Sequence, residues 1–330
     1  MQEKNGSRRS KVRKSFNVGD TKLMGKQIMA IVNPASSNGK TGRRWPELNR
    51  FMQEKGLIYD FLLTQGPGDA AKIACRALEE GYRTILSVGG DGTLNEIING
   101  IFEVSDELRR LVTIGVISMG TGGDFVRTLQ IPKDIEKAID CISNGRKRRI
   151  DLGIASFLKP NGEKISRYFC NIADIGLGGD TAARVNRTSK VFGGFISFLY
   201  STILSLLLYK NKMITAVIDE QFERKGKIST LVIANGQYFG GGMKIAPLAQ
   251  PDDALFDILF LHDMSKTKLL LNLFKVYKGK HLSVKGVELM RGKKVVITSP
   301  EEALVELDGE QPGRTPLEIE ILPGAMQFFV

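Results

Sequence analysis

Residues 83–96 read RTILSVGGDGTLNE, and this stretch decides how the first half of the chain folds. The run TILSV is apolar and rich in β-branched residues, which predicts a buried strand. Three glycines around Asp91 follow it, and glycine lets a backbone approach a ligand closely. Thr93 and Glu96 have the spacing of a capping box, so we expect the next helix to begin at Thr93. Phosphates bind at such helix starts, so the stretch predicts a phosphate site.

The alternation of a strand signal and a helix signal extends over residues 27–144. Four strand-like segments alternate with four helical ones, and the strands are QIMAIVN, IYDFLLT, RTILSVGG and VTIGVIS. This alternation predicts an α/β fold in which a doubly wound, mostly parallel sheet carries helices on both faces. Such sheets bind ligands outside the carboxyl ends of their strands. Beyond residue 149 short strands and turns dominate, which predicts a second, β-rich domain that resembles a β-sandwich. We expect the basic residues 146–149 to form a solvated turn at the boundary.

Composition bounds the class of protein. The chain has 330 residues, of which 42% are hydrophobic and 25% charged, so it suits two globular domains and excludes a disordered or collagenous protein. Three scattered cysteines and two histidines argue against a zinc cluster and favour a reduced, cytoplasmic protein. The net charge of +11 favours anionic partners. Neither a helix-turn-helix nor an aromatic RNA-binding signature is found, so we expect no nucleic acid partner.

Two more small-residue turns follow predicted strands. Asn33–Thr41 ends like a P-loop, but Pro34 stands where the first glycine is needed. Met119–Phe125 is a third glycine-rich turn, and no G-x-G-x-x-G dinucleotide motif occurs. We therefore expect three turns to form one pocket for the phosphates of a nucleotide. Asp91 would repel those phosphates unless Mg²⁺ lies between them.

Two further segments concern membranes. Residues 1–26 carry eight Lys and Arg against two acidic residues and no following apolar stretch, which predicts a flexible basic arm and no signal peptide. Val191–Tyr209 is the one run close to the length of a membrane span. Because serine recurs in it every four residues, we expect a buried or membrane-facing helix instead.

Several motifs occur together in a fixed order: Asn33-Pro34-x-Ser36, Thr64 with Gly68-Asp69-Ala70, Gly89-Gly90-Asp91-Gly92-Thr93-x-Asn95-Glu96, Gly120-Thr121-x-x-Asp124-Phe125-x-Arg127, Asp151-x-Gly153 and Asp308-Gly309-Glu310. This combination resembles the bacterial diacylglycerol kinase-like lipid kinases, which contain the diacylglycerol kinase catalytic domain, over nearly the whole chain from Gln27. The Gly-Gly-Asp-Gly-Thr core also occurs in NAD kinases and phosphofructokinases. Its combination with Asp308-Gly309-Glu310 is specific to the lipid-kinase group, although Asp308-Gly309 also fits a hairpin turn.

The resemblance implies a set of site residues. The ATP contacts that it implies are Asn33, Pro34, Ala35, Ser36, Ser37, Thr64, Gly90, Asp91, Gly92, Thr93, Leu94, Asn95, Glu96 and Thr121. It implies Glu310 as the catalytic base, and a carboxylate beside a lipid hydroxyl can indeed accept its proton. Asp308 and Asp151 are further carboxylates that could join a metal and water network with Asp91.

The resemblance also implies a structural Mg²⁺ held by Gln250, Asp253 and Leu255. Here Ala254 replaces the glycine that follows this aspartate in the family, and Gly123 replaces the asparagine before Asp124. These departures concern the structural metal and the Thr121 turn.

These patterns divide the chain into three parts. We expect a basic arm over 1–26, a nucleotide-binding domain over 27–148 with about 320–330, and a β-rich lipid or substrate domain over 149–319. The predicted activity is an ATP- and Mg²⁺-dependent transfer to a lipid hydroxyl, with diacylglycerol becoming phosphatidic acid, at an acidic membrane surface that the cytoplasmic protein binds peripherally. A homodimer is a possible assembly.

The alternatives fall into two classes. Other kinases would phosphorylate a sphingoid base, phosphatidylglycerol, or a soluble small molecule as NAD kinases do. A non-enzymatic protein would bind nucleic acid or membranes through the basic arm.

Overall fold

The computed structural model describes residues 28–120, 122–187 and 204–330. Its first part alternates strands and helices as the sequence predicts. The strands are β1 (Ile28–Val32), β2 (Asp60–Leu63), β3 (Thr84–Gly89) and β4 (Thr113–Ser118). The helices are α1 (Lys40–Glu54), α2 (Asp69–Glu79), α3 (Asp91–Ile101), α4 (Asp106–Arg109), α5 (Asp124–Thr128) and α6 (Ile135–Asn144).

The first sheet is parallel and covered on both faces. Its strands lie in the order β4, β3, β1, β2, and all three pairings are parallel. Because alternate residues of a strand point to opposite faces, Met29 and Ile31 pack against α2 and α3, while Ala30 and Val32 pack against α1 and α6. The doubly wound prediction is confirmed.

The second part is rich in strands. They are β5 (Lys147–Leu158), β6 (Lys164–Phe169), β7 (Ile172–Gly176), β8 (Lys212–Ile218), β9 (Phe222–Ala234), β10 (Phe256–His262), β11 (Val287–Gly292), β12 (Lys294–Thr298), β13 (Leu304–Leu307) and β14 (Glu310–Phe329). In the described part of the chain, the strands are interrupted by α7 (Leu177–Arg187), α8 (Lys266–Tyr277), a helical segment at 204–208 and a 3-10 helix (His281–Ser283). The inner faces of β7, β9, β10 and β13 share one apolar core with those of β5, β8, β12 and β14. This confirms the β-rich second domain.

The long strand β14 joins the two parts. It pairs antiparallel with β5, β12 and β13 in the second part. Its last residues, Gln327 and Phe328, pair parallel with Thr113 and Ile114 of β4. The expected solvated turn at 146–149 is wrong, because residues 147–149 begin β5 and pair with the end of β14. Backbone pairing therefore uses these basic residues, and their charges face outward.

Candidate functional site

The carboxyl ends of β1, β3 and β4 meet at one edge of the sheet. The N–H of Asn33, directly after β1, donates to the carbonyl of Val88 at 2.9 Å. The carbonyl of Gly89, the last residue of β3, accepts from the N–H of Met119 at 2.7 Å. The turns that follow these strands therefore line one cleft, as expected for a doubly wound sheet.

Glycine allows two of these turns to touch. A Cβ atom built on Gly120 would lie 2.8 Å from the Cα of Gly90, and one built on Gly89 would lie 2.5 Å from Oγ1 of Thr93. Any side chain at Gly120 would thus push the two turns apart. The close approach keeps backbone N–H groups of both turns near the same point of the cleft.

The first turn is held by its own polar side chains. Asn33 donates from Nδ2 to Oγ1 of Thr93 at 2.9 Å and accepts from the N–H of Ala35 at 3.1 Å. Ser36 and Thr41 share a hydroxyl hydrogen bond of 2.5 Å. These contacts use Asn33 and Thr93 to align the first turn with α3.

The same turn leads directly into a helix. Pro34 accepts the N–H of Gly42 at 3.1 Å, and Ser37 adopts a left-handed conformation with φ 55°. Helix α1 begins at Lys40 without a side-chain cap. The N–H groups of Lys40 and Thr41 also donate to backbone carbonyls of the turn, those of Ser37 and Ser36, at 3.3 and 3.4 Å. What the start of α1 offers an anion is therefore the positive end of the helix dipole.

The capping box predicted at Thr93 and Glu96 is wrong. Helix α3 begins two residues earlier and takes Gly90 as its N-cap, without a side-chain hydrogen bond. The Glu96 carboxylate instead accepts from the N–H of Gly68 at 2.9 Å and of Ala70 at 3.2 Å. It therefore accepts hydrogen bonds from backbone N–H groups at the start of the neighbouring helix α2. Through these bonds Glu96 positions the Thr64–Gly68 loop.

The remaining predicted ATP contacts differ in access. The side chain of Leu94 is buried in the core, so only its backbone can face the cleft. Gly92 has open space around it. Thr64 follows β2, is buried, and donates its N–H to Val32 at 2.8 Å. Thr121 lies outside the described residues.

Asp91 occupies the centre of the cleft. Its Oδ2 accepts from the N–H groups of Gly123 at 3.0 Å and Asp124 at 3.4 Å. Burial, together with repulsion from Asp124 and Asp308, raises the pKa of Asp91 to about 6. Burial also raises the pKa of Asp124, although Arg127 pairs with that carboxylate at 3.0 Å. Arg127 and Lys133 thus partly offset the charge of Asp124, whereas no cation is among the groups that shift the pKa of Asp91.

This arrangement fits Mg²⁺ beside a nucleotide. Within the described ranges, no group of three or more His, Cys, Asp or Glu side chains is placed to hold a metal alone. Magnesium in kinases needs only one or two carboxylates, and it takes its other ligands from phosphates and water. Asp91 could hold such an ion, and a cation there would offset the repulsion that adds to the effect of burial on its pKa.

Asp308 ties the second part to the cleft. Its carboxylate accepts backbone N–H groups from Cys170 at 2.9 Å, Asn171 at 3.0 Å and Ile172 at 3.1 Å. It also accepts from Nδ2 of Asn95 at 2.9 Å. Asp308 lies in the two-residue turn between β13 and β14, with φ 48°. Because four donors saturate it, Asp308 positions α3 against the turn between β6 and β7.

Glu310 lies at the mouth of this network. Its Oε2 accepts from Nη1 of Arg167 at 2.9 Å, and Nη2 of Arg167 donates to Oδ1 of Asn95 at 3.1 Å. The Glu310 side chain is 41% exposed. A bound substrate can therefore reach its carboxylate, while Arg167 fixes its distance from α3.

Asp151 does not join this group. Its two oxygens accept from the N–H groups of Gly324 and Ala254, each at 2.7 Å. Burial raises its pKa, and the acidic neighbours that contribute are Asp252 and Asp253. The structure thus places Asp151 with the 250–255 loop, and that carboxylate fastens the loop to β14.

The 250–255 loop does not fit the implied structural Mg²⁺. Asp253 accepts from the N–H of Leu255 at 3.1 Å and forms an ion pair with Arg291, which also pairs with Asp257 at 3.0 Å. The guanidinium group already supplies the positive charge that a cation would bring. The other oxygens that Gln250 and Leu255 can offer, two backbone carbonyls and the side-chain amide of Gln250, are neutral.

A largely apolar cavity of about 340 Å³ opens beside these carboxylates. It extends from Asp91 and Asp308 past α7 to α8. Its apolar lining includes Leu177, Leu206, Phe239, Met243, Ile245, Leu261, Leu273 and Val276. The cavity is of a size typical of small-ligand sites, and most of its wall suits hydrocarbon.

Sequence reasoning missed the charged wall of this cavity. Asp174 and Glu306 line it, and both are buried. Burial raises the pKa of Asp174 to about 7, although Oγ1 of Thr230 donates to it at 2.7 Å. The apolar strands IADIG and LVEL contain one acidic residue each, and that was the only sequence signal.

The apolar run Val191–Tyr209 falls mostly outside the described residues, which resume with a helical segment at 204–208. No helix in the described part of the chain is long and apolar enough to cross a membrane.

Comparison with known proteins gives consistent matches over both parts. The family model of the diacylglycerol kinase catalytic domain matches residues 27–155. The model of the YegS C-terminal NAD kinase beta sandwich-like domain matches residues 172–330.

Curated relatives match along most of their length. A diacylglycerol kinase of Staphylococcus carnosus is 32% identical over 293 residues, which cover 89% of this chain and 91% of the relative. One of Staphylococcus saprophyticus is 31% identical, with 89% and 92% covered. A crystal structure of a diacylglycerol kinase from Bacillus anthracis superposes with a TM-score of 0.67 over 94% of this chain and 98% of that one. At 24% identity, that likeness concerns the fold alone.

Proposed function

Because this chain belongs to the diacylglycerol kinase family of lipid kinases, we propose that its acceptor is diacylglycerol and its product phosphatidic acid. The chain is an ATP-dependent phosphotransferase with an alcohol acceptor. The observation that carries the choice of acceptor is the apolar cavity beside Asp91 and Asp308, because a hydroxyl attached to acyl chains can reach these carboxylates from it.

The phosphates of ATP belong in the cleft formed by the three turns. There, backbone N–H groups of the turns and the positive end of the α1 dipole favour negative charge. Asp91 would hold Mg²⁺, which would supply positive charge to offset that of the phosphates. The residues of the chain orient the γ-phosphate towards the cavity, and the apolar walls exclude water from the reacting hydroxyl.

Glu310 is the proposed general base. Its exposed carboxylate accepts the proton of the lipid hydroxyl as that oxygen attacks the γ-phosphorus of ATP. The bond between the γ-phosphorus and the β,γ-bridging oxygen breaks in the same step, and ADP leaves with that oxygen. Arg167 and Asn95 position the carboxylate, because they link it to α3, whose first residue is Asp91. Asp308 acts on the same geometry by holding Asn95.

We further propose that the protein docks on an acidic membrane surface through an exposed apolar patch. The patch consists of Leu271 and Phe274 of α8, which are 74% and 65% exposed, with Leu207 and Leu208. The ammonium group of Lys278 lies 4.3 Å from the ring of Phe274. Apolar side chains flanked by lysine are typical of peripheral membrane contact, and the patch lies above the wall of the cavity.

The membrane proposal is tested by sedimentation with phosphatidylglycerol-containing vesicles. The double variant Leu271→Asp, Phe274→Asp is expected to lose most binding, and Ile58→Asp, at an exposed apolar residue of the first part, is the matched control. Equal binding by both variants would contradict the patch. A homodimer stays a prediction, which sedimentation equilibrium of the full chain tests.

The acceptor is tested with labelled ATP, Mg²⁺ and mixed micelles containing one lipid each. We expect diacylglycerol to be labelled far above sphingosine and phosphatidylglycerol, and NAD in free solution to remain unlabelled. Preferential labelling of any of the other three would replace the proposed acceptor.

A further inference from the structure

Two carboxyl groups face each other on the wall of the cavity. Glu306 of β13 lies directly opposite Asp174 of β7 in the antiparallel register, and both side chains are buried. Residues paired in this way have Cβ atoms about 4.5–5.5 Å apart, and like charges there destabilise a sheet. In the described part of the chain, no cation contributes to the surroundings of either carboxyl.

Asp174 has hydrogen-bond partners and Glu306 has only one. The Asp174 carboxyl accepts from Thr230 and from the backbone of Gly178. Oε1 of Glu306 accepts from the N–H of Gly309, whereas its Oε2 is fully buried and has no partner among the described residues. A buried polar atom without a hydrogen-bond partner lowers the stability of a fold. Where one occurs, a ligand or an ordered water usually supplies the missing hydrogen bond.

Two buried carboxyl groups that face each other without a cation favour a proton on one of them. Asp174 accepts two hydrogen bonds, which stabilise its ionised form, and Glu306 accepts only one, so we assign the proton to Glu306. Burial, with repulsion from Asp174, also raises the pKa of Glu306 well above its usual range. Because Oε1 already accepts an N–H, the proton belongs on Oε2. An O–H group therefore borders a cavity whose other walls are mostly apolar.

We propose that Glu306 donates a hydrogen bond to an acyl-ester carbonyl of the bound lipid, and so selects glycerolipid esters. This inference rests on the proposed function. Glu306, Asp308 and Gly309 all line the cavity, and Gly309 directly precedes Glu310. In diacylglycerol the ester carbonyls lie a few bonds from the free hydroxyl, so one lipid can present its hydroxyl near Glu310 and a carbonyl to Glu306. The acyl chains then continue along the apolar lining.

The test compares 1,2-dioleoylglycerol with its diether, 1,2-di-O-oleylglycerol, in mixed micelles. The two lipids share the hydroxyl and chain length, but the diether lacks both carbonyls. We expect the wild type to prefer the ester by about 10-fold in kcat/KM, the size of one good hydrogen bond. Glu306→Gln retains a donor and should keep the preference. Glu306→Leu should lower kcat/KM for the ester towards the value for the ether and leave the ether unchanged.

Two controls keep the result interpretable. Glu320→Leu, at an exposed glutamate of β14, should keep the ester preference. Thermal unfolding separates specificity from structure, because removal of an unpartnered buried carboxyl should leave Glu306→Leu at least as stable as the wild type. Glu306→Met is the second apolar variant if leucine does not fit.

Equal use of ester and ether by the wild type, or an intact preference in Glu306→Leu, would overturn the role of Glu306 while leaving diacylglycerol as the acceptor. Labelling of sphingosine in place of both glycerolipids would overturn the acceptor and the ester contact together.

Discussion

Replacing Glu310 with glutamine removes a proton acceptor while preserving the shape of the side chain. The amide oxygen of glutamine can still accept from Arg167, so the link through Arg167 to Asn95 and α3 should remain. ATP binding should also remain, because the nucleotide turns belong to the first part of the chain and Glu310 begins β14. The variant therefore isolates the chemical step.

The expected loss can be separated from the loss of an ion pair. A positioned general base contributes about 10²–10⁴-fold in rate, equivalent to about 2.7–5.4 kcal/mol at about 1.36 kcal/mol per decade. The pair with Arg167 is 41% exposed on the Glu310 side, so solvent limits its worth to about 1 kcal/mol, or roughly fivefold. A decrease of a hundredfold or more cannot come from the ion pair alone.

The assay measures kcat and the KM for ATP in the same preparation, with saturating diacylglycerol in micelles. Glu318→Gln is the matched control, because Glu318 lies on the same strand as Glu310 and is 42% exposed. It also forms an ion pair, with Lys294 at 3.1 Å. We expect Glu318→Gln to stay within about twofold of the wild type. If Glu310→Gln behaves like this control, the assignment of the general base is wrong.

Three other predictions concern the cleft and the loop. Burial raises the pKa of Asp91 to about 6, so its contribution to stability is full below about pH 4 and is lost as the pH rises through about 6. Asp91→Asn should therefore abolish turnover. It should also raise the unfolding free energy of the ligand-free protein, measured by denaturant titration, by up to about 3 kcal/mol at pH 8 and by little at pH 4. Lower stability of this variant at pH 8 would contradict the reasoning. Asp253→Ala should lower the unfolding free energy by about 1 kcal/mol because Arg291 loses a partner, whereas EDTA should leave the wild-type Tm unchanged; a fall in Tm on chelation would reinstate a structural cation. Gly120→Ala forces two backbone turns apart, so the KM for ATP should rise at least tenfold, and an unchanged KM would argue against phosphate binding there.

The first part of the fold could be predicted from local patterns. Strand and helix signals repeat with short connections, and parallel strands bring the turns after β1, β3 and β4 to one edge regardless of tertiary detail. The sequence therefore indicated Asp91 and the Asn33–Ser37 turn as neighbours. The contact between Asn33 and Thr93 agrees with that expectation.

Longer-range partners explain where local rules failed. Thr93 and Glu96 match the spacing of a capping box, but Glu96 satisfies N–H groups of α2, which are 26 and 28 residues away in sequence. Likewise, Asp308-Gly309 does form the hairpin turn that its sequence suggests, and its carboxylate nevertheless holds three backbone groups of the β6–β7 turn. A turn motif describes the backbone and leaves the partners of its side chain open.

The second part of the site depends on pairing between distant strands. Asp174 and Glu306 are 132 positions apart and meet only because β7 pairs with β13. Asp151 and Asp253 similarly depend on β14 and on Arg291, neither of which a motif of the loop specifies. Local patterns along the chain offer no signal for such registers, so these contacts required the structure.

If the cleft and the cavity act on one lipid hydroxyl, the two products of the reaction must form in a fixed ratio. Wild-type protein with ATP, Mg²⁺ and 1,2-dioleoylglycerol should release ADP and form phosphatidic acid in equal amounts, as measured by mass spectrometry, while Asp91→Asn forms neither. Release of ADP without phosphatidic acid, or an equal yield from Asp91→Asn, would contradict the account.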